Sequence, residues 1–127
     1  MSDEELIKHA MNAREKAYSP YSKFSVGAAI LTEDNQIFEG CNIENATFGA
    51  TICAERTAVS KAVSEGYRSF KKIAVIAKGD YCYPCGICRQ VLAEFCDVDK
   101  FEVICANEKG EYRKHKLLEL IPYTFKL

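Results

Sequence analysis

Three thiols and one carboxylate stand in this sequence at spacings that suit metal chemistry. "TICAERTAVS" (Thr51 to Ser60) sets Cys53 two residues before Glu55, and "YPCGICRQVL" (Tyr83 to Leu92) holds Cys85 and Cys88. C-x2-C alone has several readings: half of a zinc ribbon, a redox pair, or two core cysteines. Cys53 adds a third candidate ligand. Three protein ligands with an open position describe a catalytic zinc, and four describe a structural one. Glu55 then decides. A carboxylate two residues past a ligand can stay off the metal and handle the protons of a metal-activated water. A structural site has no use for it. Arg56 follows directly. Three thiolates outweigh the charge of Zn²⁺, and a guanidinium bonded to them would offset the excess.

Cys82 extends the spacing to C-x2-C-x2-C, which also begins an iron–sulfur pattern. Leu92 stands where the next cysteine of that pattern belongs. Cys82 could instead complete a four-thiolate structural site, which leaves Glu55 and Arg56 without a role. The plain alternative for Glu55 is an acid at a helix start, favoured by the dipole. For the three cysteines it is burial or redox pairing. Cys41, Cys96 and Cys105 suit core filling, and His9 and His115 are expected at the solvated surface without a role.

Both cysteine segments read as helix starts, where side chains tilt toward the N-terminus and the dipole lowers thiol pKa values. Pro84 suits a helix entry, and Gly86 permits close approach of the backbone. The elements around them follow from periodicity. Asp3 to Ala17 is helical, with Ser2 as N-cap. Phe24 to Leu31, "FSVGAAIL", is apolar on both alternating faces and reads as a strand buried on both sides. A hairpin loop leads to a return strand, Ile37 to Cys41. Asn42 to Ala50 is an irregular loop. Cys53 to Glu65 is a helix stopped by Gly66. Lys72 to Ala77 is a strand, Gly86 to Phe95 a helix, Phe101 to Ala106 a strand and Glu111 to His115 another, before a short helical turn at Leu117 to Leu120. The expected fold class is α/β: three layers, α/β/α, around a mixed five-stranded sheet. The cysteine segments follow the C-terminal ends of strands, where ligands bind in such sheets.

The 127 residues fit one domain, 1–127, able to bury a core without staples. Hydrophobic residues make up 48% and charged residues 28%, an ordinary globular balance. No apolar run reaches a membrane span, and "MSDEELIKHA" lacks the regions of a signal peptide, so a cytoplasmic location is expected. The net charge of −1 and scattered basic residues speak against a phosphate backbone as partner. A small molecule is the better fit. Seven cysteines, an odd number, fit no disulfide framework in a reducing compartment.

"CAERTA" and "PCGICRQVLAEF" resemble the zinc-dependent cytidine deaminases, specifically their short homotetrameric class with three cysteine ligands. "YSPYSKFSVGAAI" and "GCNIENATFGATICAERTA" extend the resemblance over nearly the whole chain. Zinc deaminases in general carry a histidine in the first ligand position. Cys53 occupies it here, which points to nucleoside deaminases. The resemblance implies that Cys53, Cys85 and Cys88 hold one zinc per subunit, and that zinc-activated water attacks C4 of cytosine. Glu55 would take the proton of the water, protonate N3 and help ammonia leave. Phe24 would pack on the ring, Asn42 and Glu44 would grip the ribose 3′-hydroxyl, and Ala54 would join the substrate-binding set. A neighbouring subunit would close the site through Ala46 to Gly49 and Phe125. The implied activity is conversion of cytidine and deoxycytidine to uridine and deoxyuridine in pyrimidine salvage. The rivals are deamination of another cytosine-containing compound such as blasticidin S, and a structural zinc module.

Overall fold

A computed structural model describes all residues from Met1 to Leu127. Five strands form one sheet in the order β2-β1-β3-β4-β5. They are β1 (Val26–Thr32), β2 (Ile37–Cys41), β3 (Phe70–Ala77), β4 (Glu102–Ala106) and β5 (Tyr112–Lys116). β3 and β4 run parallel, and the other pairs are antiparallel. The helices are α1 (Asp3–Arg14), α2 (Ala54–Ser64), α3 (Gly86–Phe95) and the short α4 (Leu117–Leu120).

The continuous apolar run of β1 has a direct cause: both faces of the sheet are covered. Ala29 and Leu31 join Leu6, Ile7 and Ala10 of α1 in one core. Ala28 and Ile30 face the other way, into a core with Ala58 and Val59 of α2 and Leu92 of α3. Period-two alternation thus feeds two cores from a single strand. Gly27 and Gly40 let helices lie close on the two sides. A Cβ on Gly27 would stand 2.0 Å from the Ala10 carbonyl oxygen, and one on Gly40 2.5 Å from that of Ala54.

Ser2 caps α1, its hydroxyl accepting from the Glu5 N–H at 3.1 Å. The helix stops at Arg14, earlier than the apolar spacing to Ala17 suggests, and Arg14 Nε donates to the Ser25 carbonyl instead. Gly66, at φ +100°, ends α2 as expected. His9 is not free in solvent: its Nδ1 donates to Glu39 Oε2 at 2.8 Å, tying α1 to β2.

Strand direction places the site. β2 and β3 both run antiparallel to β1, so Cys41 and Ala77 end at the same edge of the sheet, beside Gly27 and Val26 respectively. The chain leaving β2 reaches the start of α2, and the chain leaving β3 reaches the start of α3. Both helix N-termini therefore converge on the entry to β1.

Candidate active site

Cys53 and Cys85 are the N-cap residues of α2 and α3, one position ahead of the helices proper. Neither makes a side-chain capping bond, which leaves both thiols free to face each other. Cys53 Sγ lies 3.9 Å from Cys85 Sγ, and Cys85 Sγ lies 3.5 Å from Cys88 Sγ. All three sulfurs fall within 4.8 Å of one another. Thiolates about 2.3 Å from a tetrahedral zinc stand about 3.8 Å apart. The trio therefore fits that ion as it is placed. Cys82 lies outside the trio, its backbone N–H bonded to the Ala106 carbonyl at 3.1 Å. The thiol set is three, as a catalytic site requires.

Arg56 Nη2 donates to Cys53 Sγ at 3.4 Å. Its Nε is buried without a hydrogen-bond partner, so this cation spends its contacts on sulfur. The Cys88 thiol, with Arg56 beside it, holds the Cys53 thiol below the ordinary thiol range. The Cys53 sulfur and burial in turn push Cys88 upward. Zinc ligation needs all three as thiolates, and the guanidinium favours that state.

Glu55 is only 4% exposed, and no other residue gives its carboxyl a hydrogen bond. Burial pushes it up to about 7, and the negative charge of Cys53 adds to the rise. The hydrogen bond from its own backbone lowers it less than burial raises it, because a buried charge is costly. Poised near neutrality, it can accept and return a proton at the pH of a cell.

Cys53, Cys85 and Glu55 share one cavity of about 310 Å³, lined also by Phe24, Asn42 and Glu44 among others. Ala54 lines it too. Phe24 is not the first residue of a buried strand: it lies before β1 and is 48% exposed, facing the cavity. The Asn42 side chain explains why. Its Nδ2 donates to the Phe24 carbonyl at 2.8 Å and its Oδ1 accepts from the Val26 N–H at 2.9 Å, so pairing with β2 starts only at Gly27. Glu44 accepts from the backbone N–H groups of Tyr21 and Ser22 at 2.9 and 3.1 Å, and from the Ser22 hydroxyl. The Ser22 hydroxyl, and then these N–H groups, hold its carboxyl below the ordinary range. Phe125 does not line this cavity. It is 65% exposed, its carbonyl accepting from Gln90 Nε2 at 2.9 Å. Phe48, within the Ala46 to Gly49 loop, is 81% exposed.

Sequence reasoning missed other members of the wall: Ser22, Thr51, Ile52, Cys82 and Tyr83. Proximity to Cys85 was the available signal for Tyr83. His115 had none, yet its ring meets Tyr83 from β5. A larger cleft, about 510 Å³, opens at the opposite edge of the sheet among Glu33, Arg68, Lys71, Asp97, Lys100 and Glu102. Its lining mixes both signs of charge and contains no thiol or buried acid, so size does not mark it as the reactive site.

Residues 1–105 match the model of the cytidine and deoxycytidylate deaminase zinc-binding region. A cytidine deaminase of Sporosarcina psychrophila is 52% identical over 126 residues, covering 98% of this chain and 92% of that protein. The cytidine deaminase of Halalkalibacterium halodurans is 49% identical, covering 98% and 95%. The crystal structure of cytidine deaminase from Burkholderia pseudomallei superposes with a TM-score of 0.94 at 45% identity, covering 98% of this chain and 100% of that one. Thiol trio, isolated buried acid and full-length likeness agree, and the chain belongs to the cytidine and deoxycytidylate deaminase family, whose hallmark is a zinc-binding region.

Proposed function

We propose that residues 1–127 act as one deaminase domain that converts cytidine and deoxycytidine to uridine and deoxyuridine with release of ammonia. The observation that carries this reading is the buried Glu55 beside three convergent thiols, with Glu55, Cys53 and Cys85 lining one cavity.

Cys53, Cys85 and Cys88 would hold zinc, which supplies a Lewis acid that makes water nucleophilic at neutral pH. Glu55 takes a proton from the attacking water, delivers it to N3 of the pyrimidine, and then assists departure of the amine. One water is consumed: its oxygen ends on C4 and N4 leaves as ammonia. A carboxyl held at about 7 suits both directions of transfer. Arg56 offsets the negative charge of the thiolates, which keeps the site acidic enough to activate water.

Phe24 packs on the ring, and Ala54 lines the same cavity. Asn42 and Glu44 grip the ribose 3′-hydroxyl. Their backbone bonds fix both side chains in advance, so little ordering is spent on binding. A substrate lacking that hydroxyl would forgo both contacts. Nothing in this arrangement demands a 2′-hydroxyl.

The exposed aromatic side chains Phe48 and Phe125 suit a surface covered by other copies of the chain. We read this as a homotetramer in which a neighbouring subunit completes each site. Seven free cysteines and a thiol-dependent site suit a reducing cytoplasm and a place in pyrimidine salvage. No helix is long and apolar enough to cross a membrane.

Ultraviolet absorbance of cytidine, deoxycytidine, cytosine, CMP and blasticidin S incubated with zinc-loaded protein tests the reading. Turnover of cytidine and deoxycytidine is expected. No loss of cytidine at micromolar protein would end it, and faster turnover of blasticidin S would move the substrate to that class.

A further inference from the structure

Tyr83 stands on the wall of the reactive cavity, and three residues behind it have no place in the chemistry above. Its hydroxyl lies 3.3 Å from His115 Nε2, and the two rings are 5.5 Å apart at a tilt of 48°. The other ring nitrogen of His115 lies 3.6 Å from Glu119 Oε2. A proton on Nδ1 facing that carboxylate leaves Nε2 free to accept from the Tyr83 O–H. Glu119 is itself fixed, its Oε1 accepting from the Lys116 N–H at 2.9 Å. Two residues earlier on β5, the Arg113 guanidinium lies 4.2 Å above the Tyr81 ring. Arg113 also stands beside the Tyr83 hydroxyl, so two side chains of β5 face the segment before Pro84.

Tyr83 is 38% exposed and lines the same cavity as Cys53, Glu55 and Cys85. Pro84 separates it from the ligand Cys85 and stiffens the link. Glu44 and Ser22 mark the other end of the cavity, where the sugar belongs. A pyrimidine with C4 toward the thiols and its sugar toward Glu44 directs its exocyclic amine to the wall that Cys82, Tyr83 and Cys85 form.

We propose that Tyr83, clamped by His115, is a specificity-determining residue that limits which substituents the site accepts on the exocyclic nitrogen of the substrate. This rests on the deaminase reading. The ring rejects bulk at that nitrogen while leaving room for a free amine to depart. His115 is a positioning residue that acts through Tyr83. An N4-alkylated cytidine would react by the same balance: water adds its oxygen to C4, the C4–N4 bond breaks, and an alkylamine leaves with the proton from Glu55.

The test compares kcat/KM for cytidine and N4-methylcytidine in zinc-loaded wild type, Tyr83→Ser, Tyr83→Phe and His115→Ala, with zinc content measured alongside. Wild type should favour cytidine. In Tyr83→Ser that preference should fall about tenfold, the scale of one methyl group in a pocket, through a gain on the methylated substrate. Tyr83→Phe keeps the ring and should lose less. His115→Ala, remote from the cavity, should fall about threefold with zinc unchanged. A preference within twofold of wild type in both Tyr83→Ser and His115→Ala would overturn the assignment of Tyr83 while leaving the activity on cytidine standing. Wild type inert on cytidine would overturn the deaminase reading, and this inference with it.

Discussion

The starts of α1 and α2 are built from similar parts and put to opposite uses. Each presents acids to a helix N-terminus. At α1 the Ser2 hydroxyl caps the helix, and Asp3 accepts from Lys72 at 2.6 Å and Lys114 at 2.9 Å. Partial burial raises the Asp3 carboxyl, but the two lysines outweigh it and hold the group below its ordinary value. At α2 the cap position holds a thiol without a capping bond, and the carboxyl beyond it is buried with a hydrogen bond only from its own backbone. The first start pairs its acid with two lysines and fastens a helix to the sheet. The second buries an acid with no cation bonded to it and leaves Arg56 Nε without a partner, a local cost that two cores elsewhere offset.

The comparison can be broken by exchanging the consequences of mutation. Glu55→Gln should lower kcat by about 10²–10⁴ while zinc content stays the same. Asp3→Asn should leave kcat untouched. Near-native turnover in Glu55→Gln would remove the functional half of the contrast. Arg56→Ala should cost about tenfold in zinc retention, read as the rate of loss to a chelator, because a hydrogen bond to a ligand sulfur disappears. Unchanged retention would place the charge balance elsewhere. Ser2→Ala should cost about 1 kcal/mol in urea unfolding with no kinetic effect.

The smallest effect is the most diagnostic of α1. Asp3→Asn should cost about 0.5–1 kcal/mol at pH 7. The sign follows from the lowered folded pKa of Asp3. Its contribution is full above the unfolded value of 3.8 and fades as pH falls through the lower folded value. Wild type and variant should therefore converge in stability once the pH lies below the folded value. A gap that persists in acid would mean that the lysines do not act through the ionised carboxylate.

The candidate site was legible in the sequence because its residues are local. Cys53, Glu55 and Arg56 lie within one turn, and Cys85 and Cys88 within another. Only the meeting of the two turns needed the fold, and strand direction supplied it. β1 was readable because burial on both faces leaves a continuous apolar run. Its start was misplaced at Phe24 because the Asn42 amide, distant in sequence, occupies the backbone that pairing would use. Lys23, at φ +61°, turns the chain just before. His115 was taken for a surface group because nothing local ties a residue of β5 to Tyr83. His9 misled for the same reason, its partner Glu39 lying on another element.

Metal analysis of the purified protein and of Cys82→Ser tests the central claim most directly. Three sulfur ligands predict one zinc per chain in both proteins, with turnover retained in the variant. A metal-free wild type, or zinc lost with Cys82, would contradict a three-thiolate site with an open corner for water.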